Sequence, residues 1–166
     1  MIFETERLYV RKLIKEDINA FHEMHANSNV MKYVSVKVMT YEENEKDLNE
    51  LIAFYDKEDN DFWIYAVVKN LDKEFIGTIA LIKDKNNDDE IGYRFLEKYW
   101  GNGFGNEIVN GLIKYTKNIG FSKLIECVSP DNLASEKIIK NCGFKLVASY
   151  RCTDLKIPER KYKLIL

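Results

Sequence analysis

The sequence predicts an α/β (α+β) fold, a mixed sheet with helices on its faces, and three observations predict it. Runs rich in aromatic and β-branched residues, typical of strands, occupy the middle of the chain. The first of these runs are joined as an antiparallel hairpin, whereas the later ones alternate with helical segments. No linker rich in Pro, Gly or Ser divides the 166 residues. We therefore expect one domain over residues 1–166.

The first part of the chain predicts one strand and three helices. Residues 7–11 alternate between apolar and other side chains, as an opening strand does. From Glu16 the apolar period lengthens to that of a helix, and a second, short helix is expected around Val30. Thr40-Tyr-Glu-Glu matches the capping-box pattern, so a third helix is expected to begin there and to end at the acidic residues 56–61.

The rest of the chain predicts the hairpin and then the alternating elements. Phe62–Lys69 and Phe75–Lys83 are expected as strands joined by a turn at residues 70–73. A polar loop at residues 84–89 follows. The later expected elements are a strand at 91–96, a helix at 104–119 stopped by Gly120, a strand at 124–128, a helix at 132–141 before Gly143, and strands at 144–149 and 162–166.

Composition and charge exclude several classes of function. The net charge is −2 and the basic residues are interleaved with acids, so no basic stripe predicts nucleic-acid binding. No run approaches the roughly 20 apolar residues of a membrane span, and the charged amino terminus does not resemble a secretory signal. Cys127, Cys142 and Cys152 lack metal-ligand spacing, and the chain has only His22 and His25. We expect a cytoplasmic protein without a metal site.

The glycine-rich segment Gly101-Asn-Gly-Phe-Gly105 stands between a predicted strand and a predicted amphipathic helix. Free N–H groups at a helix start, together with the positive end of the helix dipole, bind anions, and a pyrophosphate fits such a turn. A P-loop is excluded because Asn106 and Glu107 follow the glycines, and the G-x-G-x-G spacing differs from the Rossmann fingerprint. A turn that serves chain geometry alone is the alternative.

The segment EIGYRFLEKYWGNGFGNE at residues 90–107 resembles the acetyl-CoA-binding motif of the GNAT N-acetyltransferase superfamily. The pyrophosphate loop of that family maps onto Trp100, Gly103 and Gly105. Trp100 departs from the usual Gln or Arg, so the backbone amides are expected to bind the phosphates. Residues 6–11, 129–135 and 142–144 are similar to the opening and closing motifs of the branch with the ribosomal-protein N-terminal acetyltransferases.

The resemblance implies a mostly antiparallel central sheet of about seven strands and acetyl-CoA as co-substrate, without a metal. It implies transfer of an acetyl group to a primary amine by direct attack. The acceptor would be a protein N-terminal α-amine or a small amine such as a polyamine or an aminoglycoside. The residues expected to bind the cofactor are Tyr93, Phe95, Trp100, Gly101, Asn102, Gly103, Phe104, Gly105, Asn106 and Asn132.

Two residues are the candidates for proton transfer. Glu90 occupies the strand on which the family often keeps a general base, although it also ends a run of acids that is typical of a solvated hairpin. Ser135 would protonate the departing thiolate, and Asn132 would bind the pantetheine. Alternatively, Asp131 or Asn132 is a helix N-cap and Ser135 a first-turn residue. The oxyanion donor is expected to be a backbone amide at residues 92–95, with a local distortion at Gly92.

The acceptor side is less specific. The acids of the third helix, and the aromatic residues on the strands, are candidates for an acceptor cleft, but a solvated face and core packing are the alternatives. These residues are Glu42, Glu43, Asp47, Glu50, Trp63, Tyr65 and Tyr93. A non-catalytic module that binds or senses acyl-CoA is the alternative function. The sequence leaves open whether the protein is a monomer or a homodimer.

Overall fold

The computed structural model describes residues 1–34, 38–151 and 158–166. Within these ranges the strands of the sheet are β1 (Phe3–Glu4), β2 (Leu8–Lys12), β3 (Phe62–Lys69), β4 (Phe75–Lys83), β5 (Asp89–Phe95), β6 (Lys123–Val128), β7 (Lys145–Arg151) and β8 (Pro158–Ile165). The helices are α1 (Ile18–His25), α2 (Ser28–Met31), α3 (Tyr41–Phe54), α4 (Phe104–Asn118) and α5 (Leu133–Asn141). Cys152 lies outside the described residues.

The strands form one sheet in the order β1-β2-β3-β4-β5-β6-β8-β7, and only the β5–β6 pair is parallel. The predicted fold class is therefore confirmed, with eight strands in place of about seven. The additional strand, β1, is two residues long and pairs with β2 at Val10 and Tyr9. Such a short strand has no room for an alternating pattern, so the sequence did not indicate it.

Two buried clusters lie on opposite faces of this sheet, because alternate side chains of a strand point to opposite faces. Val67 belongs to the cluster under α4 and α5, while its neighbours Ala66 and Val68 belong to the cluster under α1, α2 and α3. Helix α4 contributes Ile108, Val109 and Leu112 to the first cluster, all on one helix face. Each fully buried side chain of this size stabilises the fold by about 1.5–3 kcal/mol.

The predicted start of α3 is confirmed. Thr40 is its N-cap, the Thr40 hydroxyl accepts from the Glu43 amide, and the Glu43 carboxylate accepts from the Thr40 amide in return. The prediction that the glycine loop directly follows a strand is wrong in one detail. A 3-10 turn, Glu97–Tyr99, lies between β5 and the loop. The Tyr99 amide donates to the Leu96 carbonyl, and the amide of Trp100, which follows the turn, donates to the Glu97 carbonyl.

The feature that positions the site is the divergence of β5 from β6. Their pairing is limited to Glu90 opposite Ile125, although both strands continue for several residues beyond that point. The two strands therefore open into a V, and the edge of β5 after Ile91 faces the gap. The expected distortion at Gly92 is not observed, since Gly92 pairs in regular register with Ala80 of β4. Across the described ranges, every helix is too short or too polar to span a membrane.

Candidate active site

Two cavities lie at the V and share part of their walls. The first cavity, of about 480 Å³, lies on the α1–α3 face and is bordered by Asp47, Glu90 and Glu159 among others. The second cavity, of about 720 Å³, is bordered by the glycine loop and by the start of α5. The residues that border both cavities are Tyr33, Val34, Tyr93, Arg94, Asn132 and Ser135. A ligand in one cavity is therefore within reach of a ligand in the other at the mouth of the V.

The glycine loop has the geometry of an anion site. Gly103 is the N-cap of α4 with φ of 77°, a left-handed conformation that glycine adopts without the strain of a side chain. Within the described ranges, the backbone N–H groups of Phe104, Gly105 and Asn106 donate to no protein acceptor. All three residues border the second cavity, so these donors and the positive end of the α4 dipole meet there.

Arg7 holds this loop through hydrogen bonds to residues on either side of Gly103, a role that the sequence did not indicate. Its guanidinium donates to the Asn102 carbonyl at 3.1 Å and to the Glu107 carboxylate at 2.6 Å. The Glu107 carboxylate also accepts from the Arg7 amide and the Thr5 hydroxyl. The segment before β2 is thus tied to the first turn of α4. This bracket joins residues about a hundred positions apart, which no local pattern reveals.

The loop residues divide into those that face the cavity and those that hold the loop. Asn102 belongs to the second group, because its side-chain amide donates to the Tyr99 and Trp100 carbonyls and does not border the second cavity. Trp100 borders the cavity and is 48% exposed. Gly105 is buried, and a Cβ there would lie 2.6 Å from Ile138 of α5, so this glycine permits the close approach of α4 and α5.

Tyr93, Asn132 and Ser135 meet at the mouth of the V. The Tyr93 and Ser135 hydroxyl oxygens are 2.9 Å apart, and the Ser135 amide donates to Asn132 Oδ1 at 3.2 Å. Asn132 is thus the N-cap of α5, as one interpretation predicted, yet its Nδ2 donates to no residue of the described chain. Tyr93, which was expected only as a contact residue, brings a second hydroxyl beside Ser135.

Glu90 lies at the apex of the V and borders the first cavity, so it is not the free end of a solvated acidic run. Burial raises the pKa of its carboxyl above the ordinary value, and the nearby charges of Asp84 and Glu159 act in the same direction. A hydrogen bond with Cys127 and the charge of Lys161 oppose the shift. Burial also raises the pKa of the Cys127 thiol to about 12, so this thiol is protonated at neutral pH.

Arg94 extends from β5 into the wall of both cavities. Its guanidinium is 2.9 Å from His25 Nε2, and His25 Nδ1 is 3.1 Å from the Phe21 carbonyl oxygen. Because a carbonyl only accepts, Nδ1 carries the proton and Nε2 accepts from Arg94. Burial and the charge of Arg94 lower the His25 pKa to about 4, so the imidazole is neutral at physiological pH. Asp47, whose pKa burial raises, provides the opposite charge across the cavity.

Some residues expected on the acceptor side lie elsewhere. Trp63 and Tyr65 stack with Tyr55 at ring-centroid distances of 6.0–6.3 Å and do not border the first cavity. Their strand neighbours Phe62 and Ile64 border it instead, because the side-chain period of a strand is two. Among the acids proposed on α3, Asp47 borders this cavity.

A family model described as an acetyltransferase (GNAT) domain matches residues 7–145. The chain belongs to this family. A relative from Bacillus licheniformis named "Uncharacterized N-acetyltransferase p20" is 30% identical over 144 residues, which cover 85% of this chain and 80% of the relative. The Bacillus subtilis relative "Uncharacterized N-acetyltransferase YoaA" is 28% identical over 148 residues, covering 87% and 82%. The predicted family and the prediction of an N-acetyltransferase are confirmed.

Solved structures of GNAT acetyltransferases share the fold. A GNAT-family acetyltransferase from Bacillus anthracis superposes with a TM-score of 0.85 at 24% identity, covering 98% of this chain and 97% of that one. RimL, described as a ribosomal L7/L12 alpha-N-protein acetyltransferase in complex with coenzyme A, gives 0.83 at 17% identity with coverage of 98% and 96%. A chimera of the Vibrio cholerae spermidine N-acetyltransferase SpeG with hSSAT gives 0.75 at 18%, covering 95% of each. Across the described residues, no group of His, Cys, Asp and Glu side chains is arranged so that it could bind a metal ion.

Proposed function

We propose that this N-acetyltransferase transfers the acetyl group of acetyl-CoA to a primary amine that binds in the first cavity. One observation carries the proposal. The two cavities meet at the splayed strands and share Tyr93, Asn132 and Ser135 at their junction. A donor in the second cavity and an acceptor in the first therefore meet without an intermediate on the protein. The attack of the amine on the thioester is direct.

The second cavity fits coenzyme A. The free amides of Phe104, Gly105 and Asn106 match the demand of a pyrophosphate, and Gly103 places no side chain over them. Farther along, Asn132 Nδ2 and the unpaired edge of β5 at Tyr93 and Phe95 offer hydrogen-bonding groups to an extended, amide-containing arm. Acetyl-CoA supplies the thioester as electrophile, and the chain supplies its orientation.

Glu90 serves as the general base in this proposal. An amine acceptor is an ammonium at neutral pH, since primary amines have pKa values of about 8–10, and it attacks only after losing a proton. The Glu90 carboxyl lies in the wall of the first cavity, and burial brings its pKa nearer to the working pH. Ser135 serves as the general acid on the other side of the junction, with its hydroxyl oriented by Tyr93.

The acceptor is a primary amine, either the α-amine of a protein or a small amine such as a polyamine or an aminoglycoside. The carboxyl groups of Asp47, Glu90 and Glu159 around the first cavity attract a cationic group. Structural neighbours described as acting on a ribosomal protein and on spermidine represent both classes. We also propose that residues 1–166 form a single domain and that the protein is cytoplasmic.

The test combines binding and turnover. Calorimetry with coenzyme A and with acetyl-CoA is expected to show one site per chain. Thiol release is then measured with a panel of amines: a peptide with a free N-terminus, the same peptide with a blocked N-terminus, spermidine and an aminoglycoside. Release with any free amine, but not with the blocked peptide, supports the proposal. No binding at millimolar acetyl-CoA contradicts it, and binding without release across the panel supports a sensing module instead.

A further inference from the structure

A buried carboxyl group stands behind Ser135, and the proposed function does not use it. Glu126 lies in the middle of β6, between Leu124 and Val128 of the same strand face, and both neighbours are buried in the core. Glu126 itself is 5% exposed. The alternation of the strand calls for an apolar residue at this position, so a carboxyl here is costly unless it is neutral or paired.

Glu126 is joined to the junction of the two cavities. Ser135 Oγ lies 3.3 Å from Glu126 Oε1, within hydrogen-bond distance, and the same Oγ is 2.9 Å from the Tyr93 hydroxyl. The other oxygen, Glu126 Oε2, is buried and has no hydrogen-bond partner in the described chain, although Glu126 borders the first cavity. The three side chains form a continuous path from the buried carboxyl to the point where donor and acceptor meet.

A second buried glutamate shows how different the Glu126 environment is. Glu136, which directly follows Ser135 in the first turn of α5, is 2.9 Å from Arg160 and 3.0 Å from Lys140, and it also accepts from the Tyr162 hydroxyl. These hydrogen bonds lower its pKa to about 2. Glu126 has no such cation among the described residues. Burial raises its pKa well above the ordinary value, the hydrogen bond with Ser135 opposes this shift, and the charge of Glu90 adds to it. The surroundings of Glu126 therefore favour the protonated form, whereas those of Glu136 favour the carboxylate.

We propose that Glu126 is a positioning residue and proton store that acts through Ser135, a role that rests on the proposed acetyl transfer. As the bond between the carbonyl carbon and sulfur breaks, its electron pair stays on sulfur. The protonated Glu126 donates to Ser135 Oγ, which leaves the Ser135 hydroxyl proton free. Ser135 transfers that proton to the sulfur, and the Glu126 proton passes to Ser135 Oγ. Before the attack, Glu90 takes one proton from the ammonium and releases it to water, and the proton that the nitrogen loses as the amide forms then goes to Glu90. Glu90 thus ends neutral and Glu126 ionised, and proton exchange through water restores both.

The weak acidity of a serine hydroxyl explains why a neighbouring proton donor is needed. A serine hydroxyl is too weak an acid to release its proton alone, so a neighbouring group has to replace that proton as it leaves. A neutral carboxyl in hydrogen-bond contact does so without leaving an alkoxide. A glutamate that only held Ser135 in place would be equally effective as glutamine, because the glutamine amide keeps a hydrogen-bonding partner for Ser135.

The experiment compares Glu126→Gln and Glu126→Leu with the wild-type chain. We expect both variants to bind coenzyme A with unchanged Kd and to lower kcat about tenfold to a hundredfold, the lower part of the range for proton transfer by a positioned group. The alkaline decline of kcat in the wild type, which reports loss of the stored proton, is expected to disappear in both. Glu136→Gln is the matched control, because that carboxylate is buried but borders neither cavity.

Infrared difference spectroscopy provides a readout besides activity. The wild-type chain should show the carbonyl stretch of a protonated carboxylic acid, and Glu126→Gln should lack it while Glu136→Gln keeps it. This measurement holds even if Glu126→Leu fails to fold. Three results would overturn the inference. The first is the absence of that band from the wild-type spectrum, and the second is a kcat of Glu126→Gln within twofold of wild type. The third is a kcat that is lost in Glu126→Leu but restored in Glu126→Gln. Failure of the proposed function is distinct, because it shows in the wild-type chain as no coenzyme A binding or no thiol release.

Discussion

At the residue scale, Glu90 illustrates how position sets chemistry. It is the one β5 residue paired with β6, so its side chain stands at the apex of the V in the wall of the first cavity. Replacing Glu90 with glutamine removes the base while keeping the shape. We expect kcat/KM to fall by about 10²–10⁴, the usual contribution of a general base, with the Kd for coenzyme A unchanged. Steady-state kinetics and calorimetry measure the two quantities.

The pH dependence of the same variant gives an independent check. A base is active when ionised, so wild-type kcat/KM should fall as the pH drops through the Glu90 pKa, which burial places above its ordinary value. That acidic limb should be absent in Glu90→Gln. Asp89→Asn is the control, since the Asp89 carboxylate is the next one along β5, pairs with Lys83 at 2.6 Å and does not border the first cavity. An unchanged acidic limb in Glu90→Gln would assign the base to another group.

Local patterns in the sequence predicted Glu90, Asn132 and Ser135 as candidate site residues, and all three border the first cavity, but these patterns did not indicate their partners. The Tyr93 hydroxyl reaches Ser135 across 42 positions of the chain, and Glu126 reaches it across nine. Those contacts depend on how α5 packs against β5 and β6. A glutamate within a strand of apolar residues was the available signal for Glu126, since such a residue breaks the binary pattern of a buried strand.

At the scale of the element, helix α4 offers a test with a built-in control. Gly103 precedes its first residue with φ of 77°, and Gly120 follows its last turn with φ of 96°. Glutamate at either position strains the backbone by about 1–2 kcal/mol, because a side chain disfavours the left-handed region. At Gly103 it also places a carboxylate over the free amides of the loop.

We expect Gly103→Glu to lose coenzyme A binding by at least about a hundredfold, through bulk and charge in the anion site. Gly120→Glu should lose similar stability and keep its affinity, because that end of α4 lies outside both cavities. Thermal unfolding and calorimetry on the two variants provide the comparison. Equal affinity in both would show that the loop does not bind the pyrophosphate.

The hydrogen bonds between Arg7 and the first turn of α4 predict a smaller effect on coenzyme A affinity than Gly103→Glu has. Arg7→Met removes the bonds to the Asn102 carbonyl and the Glu107 carboxylate, but it touches no free amide of the loop. Because Arg7 is half exposed, we expect a loss of about threefold to tenfold in coenzyme A affinity, as for a solvated charge-assisted bond. The kcat at saturating acetyl-CoA should not change. A drop in kcat with unchanged Kd, measured by calorimetry and steady-state kinetics, would contradict a purely organising role.

Periodicity predicted the elements well where they are long. The hairpin Phe62–Lys69 and Phe75–Lys83 has the predicted bounds, and α4 ends just before Gly120 as expected. The two-residue β1 and the 3-10 turn at Glu97–Tyr99 were missed, since neither is long enough to show a period. Short elements are fixed by their partners in the fold, and those partners are distant in the chain.

At the scale of the whole molecule, the site is a consequence of sheet topology. The splay of β5 from β6 was expected at Gly92 as a local distortion, yet it arises because pairing stops after Glu90 and Ile125. The two cavities meet at this gap, where Tyr93, Asn132 and Ser135 border both. Ordered motifs predicted the family and thereby the fold, whereas the connection between cavities depends on the packing of α1, α3 and α5 around the gap.

The buried carboxyl of Glu126 should also affect the stability of the whole fold. Its pKa is higher in the folded chain than the value of about 4.3 in an unfolded one, so above that pH the native state binds the extra proton. The free energy of unfolding therefore decreases as the pH rises from there toward the folded pKa, by about 1.4 kcal/mol per unit of difference between the two pKa values.

Denaturant unfolding across pH 4–9, on the wild type and on Glu126→Gln, measures this effect. As the pH rises, the wild type should lose stability relative to Glu126→Gln. The comparison isolates Glu126, because the contributions of Glu90 and other groups are common to both proteins and cancel. Wild type that gains stability over the variant with rising pH would mean that Glu126 is ionised in the folded chain, and the carboxyl behind Ser135 would then have no proton to store.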